Sequence, residues 1–294
     1  VLLLSELIIT ITTFNRQNYL ALLLSSLLNQ SYQDWDLLII DNGSSTPVSQ
    51  DPLIKTLVKR LSFNRVVQIK RFDENLGIAR ARKLILPRIK KAWKYAFDLN
   101  DDHYLDSKCV ENLMSVISSN KRVGVVGTAT PNFSNDISVL RKEYKGERLN
   151  TLEVRTHNGV RQVFLHRSTD FIYTQGKKLM SKPIEVVHCS QFIYRLSAVN
   201  ESELIDYSLL GFTEETDLCL NVLRSGYKIY FMPSAVNWHL FGESGTRSLD
   251  PFKRIELTYA DTKAFLDKHY DFIKERQEFW GVIKQDNKVW WSER

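Results

Sequence analysis

Cysteine is scarce. Cys109, Cys189 and Cys219 are the only three in 294 residues, an odd number, far apart and without a C-x-x-C. A small disulfide scaffold is thereby excluded, and packed thiols in a reducing compartment are expected. Long apolar runs are missing too: no stretch reaches the roughly 18 residues of a membrane span. The apolar opening from Val1 to Thr13 lacks a basic flank and a small-residue cleavage site, so no signal peptide is expected. The expected compartment is the cytoplasm, with a peripheral seat at the inner membrane face as the variant. A start at Val1 rather than Met suggests an excised domain. The N-x-S/T sequons at Asn42, Asn132 and Asn200 then read as chance. There is no Walker A loop, G-x-S-x-G elbow or H-E-x-x-H helix, which removes P-loop enzymes, α/β-hydrolases and zincins. Val123-Gly124-Val125-Val126-Gly127 has neither the spacing nor the place of a dinucleotide loop.

What remains is ordinary for a globular protein, with 43% hydrophobic and 25% charged residues. A chain of this length buries roughly 75% of the surface its unfolded form exposes, so it needs no staple. One large domain or two intimate ones suffice. Forty Lys and Arg against 34 Asp and Glu leave a net charge of +6. That mild excess permits an acidic substrate, a polyanion or an anionic membrane, and selects none.

The first 130 residues alternate between two periods. Buried strands are expected at Leu7–Thr13, Trp35–Ile40, Val66–Lys70, Tyr95–Leu99 and Val123–Thr128. Helices are expected at Tyr19–Gln30, Leu53–Leu61, Gly77–Leu86 and Ser107–Ser119, with Pro87 as a break or restart. This alternation predicts a mostly parallel sheet flanked by helices, with ligands beyond the carboxyl ends of the strands. From Pro131 to Pro183 periodicity fades, which leaves loops, a small antiparallel excursion or a mobile binding region open. Strands are expected within Val186–Arg195, at Ile229–Met232 and at Ala235–Leu240, and a helix at Glu215–Ser225. From Pro251 on, one or two amphipathic helices are expected, ending in Val289-Trp290-Trp291.

The polar clusters that follow strands are where chemistry belongs. Asn100-Asp101-Asp102-His103 places two adjacent carboxylates at a strand end. They repel one another unless a cation or donors lie between them, and their hard oxygens suit magnesium or manganese. The same four residues also read as a solvated turn feeding the next helix, with Asp106 or Ser107 as its cap. Glu214-Glu215-Thr216-Asp217 opens a helix, where acids complement the macrodipole or one of them serves as a general base. Trp238-His239 ends a strand, with His239 structural or a metal ligand. Asp41-Asn42-Gly43-Ser44 and Asn75 to Lys83 are turn or site. The basic runs Arg88–Lys94 and Arg141–Arg148 are solvated faces or binding patches.

In order along the chain, Thr13-Phe14-Asn15-Arg16, Gln30-Ser31-Tyr32 and Ile39-Ile40-Asp41-Asn42-Gly43-Ser44 lead to Asn75-Leu76-Gly77-Ile78-Ala79-Arg80-Ala81-Arg82-Lys83. Asp101-Asp102, Glu214-Glu215-Thr216-Asp217-Leu218, Gly226-Tyr227-Lys228-Ile229, Pro233 and His239 follow. The succession resembles family 2 glycosyltransferases of the GT-A fold, over about residues 5 to 240. The resemblance implies a Rossmann-like mixed α/β sheet, mostly parallel, with a C-terminal helical extension. Residues 1–130 would form the nucleotide-sugar half, 131–245 the acceptor and catalytic-base half, and 246–294 the extension. It also implies an inverting transferase that moves a sugar from a nucleotide-sugar, a UDP-sugar first and TDP- or GDP-sugars next.

Carried over by residue, Thr13, Asn15, Arg16, Asp41, Asn75, Arg82 and Asp101 would serve the nucleotide-sugar, with Asp41 accepting from the uracil N–H. Asp102 would hold the divalent metal, manganese or magnesium, with His239 as a further ligand. Glu215 falls at the catalytic base, preceded by Glu214. Two departures stand out: Asn100 replaces the first Asp of the family's Asp-x-Asp, and the base is Glu rather than Asp. Acceptors implied are a glycan, a glycolipid or a protein. A modified nucleobase in DNA ranks lower, and a degenerate domain that only binds a sugar or polyanion is the alternative. Weak membrane contact through the aromatic tail is a further expectation, and oligomeric state is not legible.

Overall fold

The computed structural model describes residues 4–131, 151–166, 181–187, 191–211, 213–240, 249–280 and 291–292. In chain order the first half runs β1 (Leu7–Thr13), α1 (Gln17–Leu28), β2 (Trp35–Asn42), α2 (Pro52–Leu61), β3 (Val67–Phe72), α3 (Ile78–Ile89), β4 (Tyr95–Asn100), β5 (His103–Leu105), α4 (Cys109–Ile117) and β6 (Val123–Ala129). The second runs β7 (Thr151–His157), β8 (Val160–His166), β9 (Lys182–Ile184), β10 (Phe192–Arg195), α5 (Glu214–Arg224), β11 (Lys228–His239), α6 (Pro251–Trp280) and β12 (Trp291–Ser292).

Among the described residues the main sheet has the order β3-β2-β1-β4-β10-β6-β11-β5, with β9 beside β11. The pairs of β1 with β2 and β4, β2 with β3, and β6 with β11 are parallel. β10 is antiparallel to both its neighbours, so the sheet is mixed. Successive strand residues point to opposite faces and build two cores. Leu7, Ile9 and Ile11 of β1 pack with Leu20, Leu24 and Leu27 of α1 and with α4. Ile8 faces the other way, toward Ile85 and Leu86 of α3, Leu218 of α5 and Phe265 of α6.

Several local details differ from expectation. Pro87 lies inside α3, which runs on to Ile89. A proline so near a helix end forfeits a single backbone bond, which packing of Ile85, Leu86 and Ile89 outweighs. The strands expected on either side of Pro233 are one, β11, whose ladder shifts register between Met232 and Val236. A bulge is where a sheet tolerates proline. Residues 151–166 form an antiparallel hairpin, and its turn, Asn158-Gly159, has φ of 49° and 75°. Both values are positive, as a type I′ turn requires. Pro251–Trp280 is a single helix, α6, and Trp291 lies in a short strand paired with β8 rather than in a helix. Cys189, Asn132, the basic run 141–148 and Val289-Trp290 lie outside the described residues.

α6 packs across the hairpin and α5. Gln277 bridges both backbone groups of Val154, accepting from its N–H at 2.8 Å and donating to its carbonyl at 3.1 Å. Phe265, Leu266 and Ile273 enter the core shared with α3 and α5. No helix among the described residues is long and apolar enough to cross a membrane.

Candidate active site

The carboxyl ends of β1, β2 and β4 lie level. Thr13 pairs in register with Asp41, and Thr12 with Asn100. Asp41 is buried, and its Oδ1 accepts from Ser44 N–H at 3.0 Å. Its Oδ2 accepts from Val48 N–H at 3.1 Å and from Arg71 Nη1 at 2.6 Å. A carboxylate has about four acceptor positions, and these three bonds leave room for one more donor. Asn15 is exposed, with φ of 55°, and its side-chain oxygen accepts from the backbone and hydroxyl of Ser45. Asn75 Oδ1 accepts from Asn42 Nδ2 at 2.9 Å and from Gly77 N–H at 3.0 Å. Asn15 and Asn75 therefore fasten loops together.

Gly43 makes that fastening sterically feasible. Its φ is +81°, and a Cβ there would stand 2.3 Å from the Glu74 carbonyl carbon. Only glycine adopts this φ cheaply and lets the two loops meet.

Arg82, expected at the donor, is turned into the interior. It is 5% exposed and forms an ion pair with Asp98, which also accepts from the Thr10 hydroxyl. Arg82 lines one small cavity with Thr12 and Asn100, and a second with Glu214 and Asp217. It thus connects the strand edge to the start of α5.

The acidic pair is not a solvated turn. Asp101 is 1% and Asp102 5% exposed. Neither Asp101 oxygen has a hydrogen-bond partner among the described residues, and the Thr13 hydroxyl, also buried, lies nearby without full bonding geometry. Burial pushes the Asp101 carboxyl up to about 7, against the pull of Arg16 and Thr13. Arg16 Nε is 3.4 Å from Asp101, and its Nη1 is 2.9 Å from Asp102 Oδ2. Burial acts to raise Asp102 as well, but His239, His103 and Arg16 overcome it and hold that carboxyl far below the usual range. Asp106, a cap on the turn alternative, instead accepts from the Trp238 indole at 2.9 Å, and α4 has no side-chain cap.

His103 belongs to β5, where it stands opposite His239 of β11. The two rings stack with centroids 4.7 Å apart and planes within 10°. His103 lies between Asn237 Oδ1, 2.9 Å from its Nδ1, and Gln191 Nε2, 2.6 Å from its Nε2. Those partners assign a neutral ring with the proton on Nδ1, and burial drives the pKa down to about 3. One oxygen or nitrogen each from Asp102, His103 and His239 lie within 4.8 Å of one another. A cation with ligands at about 2.1 Å in octahedral array needs adjacent donors roughly 3 Å apart. Asp102 Oδ2 and His239 Nε2, 3.3 Å apart, fit that spacing. His103 fits less well, because Gln191 already occupies its Nε2 lone pair.

Glu214 and Glu215 open α5 but differ in surroundings. Glu214 is buried, and Glu215 is half-buried. Burial and the charge of Glu215 hold the Glu214 carboxyl well above its usual value, with Arg82 opposing. Glu214 thus favours the protonated form, and Glu215 is the more accessible carboxylate. Arg71, Asp98, Gln191 and Asn237 complete the site from scattered positions. No local pattern marks them, since each acts through a contact far away in the chain.

A mixed α/β sheet with acids at its carboxyl edge and a second acidic turn on a following helix defines the class of GT-A glycosyltransferases. The profile described as Glycosyl transferase family 2 matches residues 8–201, more than half of the chain. The chain belongs to glycosyl transferase family 2. The match ends before Glu214, Glu215 and His239. The bifunctional glycosyltransferase pgtA of Dictyostelium discoideum is 23% identical over 120 residues, which cover 40% of this chain and 15% of that protein. Among solved structures, S. aureus TarS 1-349 in complex with UDP-GlcNAc aligns with a TM-score of 0.59 and 14% identity, covering 94% of this chain and 73% of that one. GalNAc-T7 with UDP, GalNAc and Mn2+ aligns with a TM-score of 0.60 and 13% identity, covering 96% and 52%. At such identities these two share the fold.

Proposed function

We propose that this chain is an inverting glycosyltransferase that takes its sugar from a UDP-sugar and uses Glu215 as the base. The observation that carries the proposal is the buried Asp101 beside Asp102 and His239; neither Asp101 oxygen accepts a hydrogen bond among the described residues, although Arg16 lies 3.4 Å away. An unmet buried acceptor costs about 1–3 kcal/mol. Donor hydroxyl groups reaching Asp101 would recover that cost, and Arg16 would then be released to face the diphosphate. The free acceptor position of Asp41 suits a nucleobase N–H. UDP and UDP-GlcNAc in the two structural neighbours support the choice of base.

Asp102 and His239 would hold a divalent cation, which supplies charge neutralisation for the departing diphosphate. Glu215 accepts the proton of an acceptor hydroxyl as its oxygen bonds to the anomeric carbon. The bond from that carbon to the diphosphate oxygen breaks on the opposite face, and the configuration inverts. Burial and the neighbouring Glu215 hold Glu214 toward its protonated form, which makes it the poorer base of the two. A sugar-bearing or lipid-linked hydroxyl is the proposed acceptor class.

The test is a thermal-shift and UDP-release screen with UDP-glucose, UDP-galactose, UDP-N-acetylglucosamine and UDP-N-acetylgalactosamine, with and without manganese. A ligand at 100 times its dissociation constant should stabilise by about 2.7 kcal/mol. The expected result is a manganese-dependent shift that Asp102→Ala removes, and UDP release that Glu215→Gln removes. No shift with any member would favour a domain that only binds sugars, and intact release in Glu215→Gln would overturn the base.

A further inference from the structure

Asp217 stands three residues after Glu214, one helical turn along α5. Its side chain is 1% exposed and pairs with α6. Oδ1 accepts from Lys268 Nζ at 2.9 Å and lies 2.7 Å from His269 Nε2. Oδ2 accepts from Ile205 N–H at 2.8 Å. His269 is wholly buried, and its Nδ1 has no partner among the described residues. That leaves the proton on Nε2, committed to Asp217.

The first turn of α5 has no side-chain cap among the described residues. Its N-cap, Thr213, makes no side-chain bond to the helix backbone and gives its hydroxyl to Tyr207 instead. The preceding loop is itself pinned by α6, through Asp261, which accepts from both the N–H and the hydroxyl of Ser208 at 2.8 Å. Lys268 also reaches the Glu203 carbonyl. A buried charged cluster of this kind seldom adds net stability over apolar packing of equal volume. What it adds is a fixed geometry.

We propose that His269 and Lys268 of α6, acting through Asp217, are positioning residues that set where Glu215 stands relative to the sheet edge. The proposal rests on Glu215 being the base. It assigns a part in the reaction to a helix beyond the family match, which ends at residue 201. A displacement of about 1 Å at a reacting group is enough to cost up to 100-fold in rate.

The test compares His269→Leu, His269→Gln and Lys268→Met with the parent, using UDP release from the four UDP-sugars named above with manganese. Lys268 is partly exposed, and Lys268→Met keeps the bonds of His269 and Ile205 to Asp217, so it is the milder of the two changes. The expected result for His269→Leu and Lys268→Met is a fall in kcat of about tenfold, with KM for the sugar nucleotide changed less than about twofold. His269→Gln can still donate to Asp217 and should return kcat to within about threefold of the parent. Hydrogen exchange, read without any substrate, should speed about tenfold over residues 213–219 in His269→Leu and Lys268→Met while β1 and β2 keep the parent rates.

Unchanged kcat or unchanged exchange in both variants would overturn the positioning role. So would equal losses in kcat and folded fraction without rescue by Gln. Glu215→Gln run in parallel separates the two levels. If it abolishes release and the α6 variants do not slow it, positioning alone fails. If it retains release, the base assignment fails, and the exchange result decides whether α6 holds the turn.

Discussion

Two adjacent glutamates with different surroundings lead to different expected losses. Glu214 is buried and held toward its protonated form, so an amide is close to an isostere of it. Glu214→Gln should keep UDP release within about threefold of the parent, whereas Glu215→Gln should lose 100-fold or more, roughly the share of a general base. The pH dependence of stability gives an independent reading. A carboxyl whose folded value is raised binds more protons folded than unfolded, so stability falls as pH rises from its ordinary value through the raised one. Glu214→Gln removes that slope. Its melting temperature relative to the parent should therefore be higher at pH 8 than at pH 5; an equal difference at both would contradict a raised Glu214. Arg82 forms a buried ion pair with Asp98 in the same region. Arg82→Met leaves Asp98 buried without its cation, and the expected loss in urea denaturation is about 3–5 kcal/mol. A loss below about 1 kcal/mol would show that Asp98 finds another partner.

At the scale of elements, the loop before α5 leans on the start of α3. Gly77 has φ of +77°, and a Cβ there would stand 2.6 Å from the Leu209 carbonyl oxygen. Both the backbone and the space oppose a side chain. Gly77→Ala should therefore lower stability by about 1–3 kcal/mol and push the loop that carries the glutamates away from α3. Thermal melting checks the first effect and the UDP-release rate the second. A variant that melts with the parent would mean that the loop yields freely. β5 and β11 form a second such joint. Three residues of strand suffice to set His103 opposite His239, and Asn237 and Gln191 lock the ring in place.

For the whole molecule, α6 behaves as part of the core. Phe265, Leu266 and Ile273 are each at most 2% exposed. Burial of one such side chain contributes about 1.5–3 kcal/mol, so three approach the net stability of an ordinary domain, roughly 5–15 kcal/mol. Deletion from residue 251 onward should yield no cooperatively folding protein. A sharp melting transition in that deletion would show that the sheet stands alone. In the basic run at 88–94, surface contacts engage three cations: Arg88 donates to Gln68, Lys90 pairs with Glu201, and Lys94 with Glu6.

Periodicity carried the layer order. The alternating apolar runs of β1, β2, β4 and β6 and the leucine stripe of α1 require a sheet with helices on both faces, because each can bury its apolar side only that way. The same chain order displayed the motif residues that ally it with its family. Asn158-Gly159 is a hairpin turn that the sequence reading did not single out, because the charged residues around it mask the period of two. Other features had no local signal. A three-residue strand such as β5 is too short for any period, so the stacking of His103 on His239 follows only from the register of β11. Whether Arg82 faces the donor or Asp98, and whether Asp101 is solvated or buried, depends on which distant groups the fold brings alongside. The difference between Glu214 and Glu215 is of the same kind. Neighbours in sequence share composition and spacing, but burial and charge act through space, and those were decided when the helices closed over the sheet.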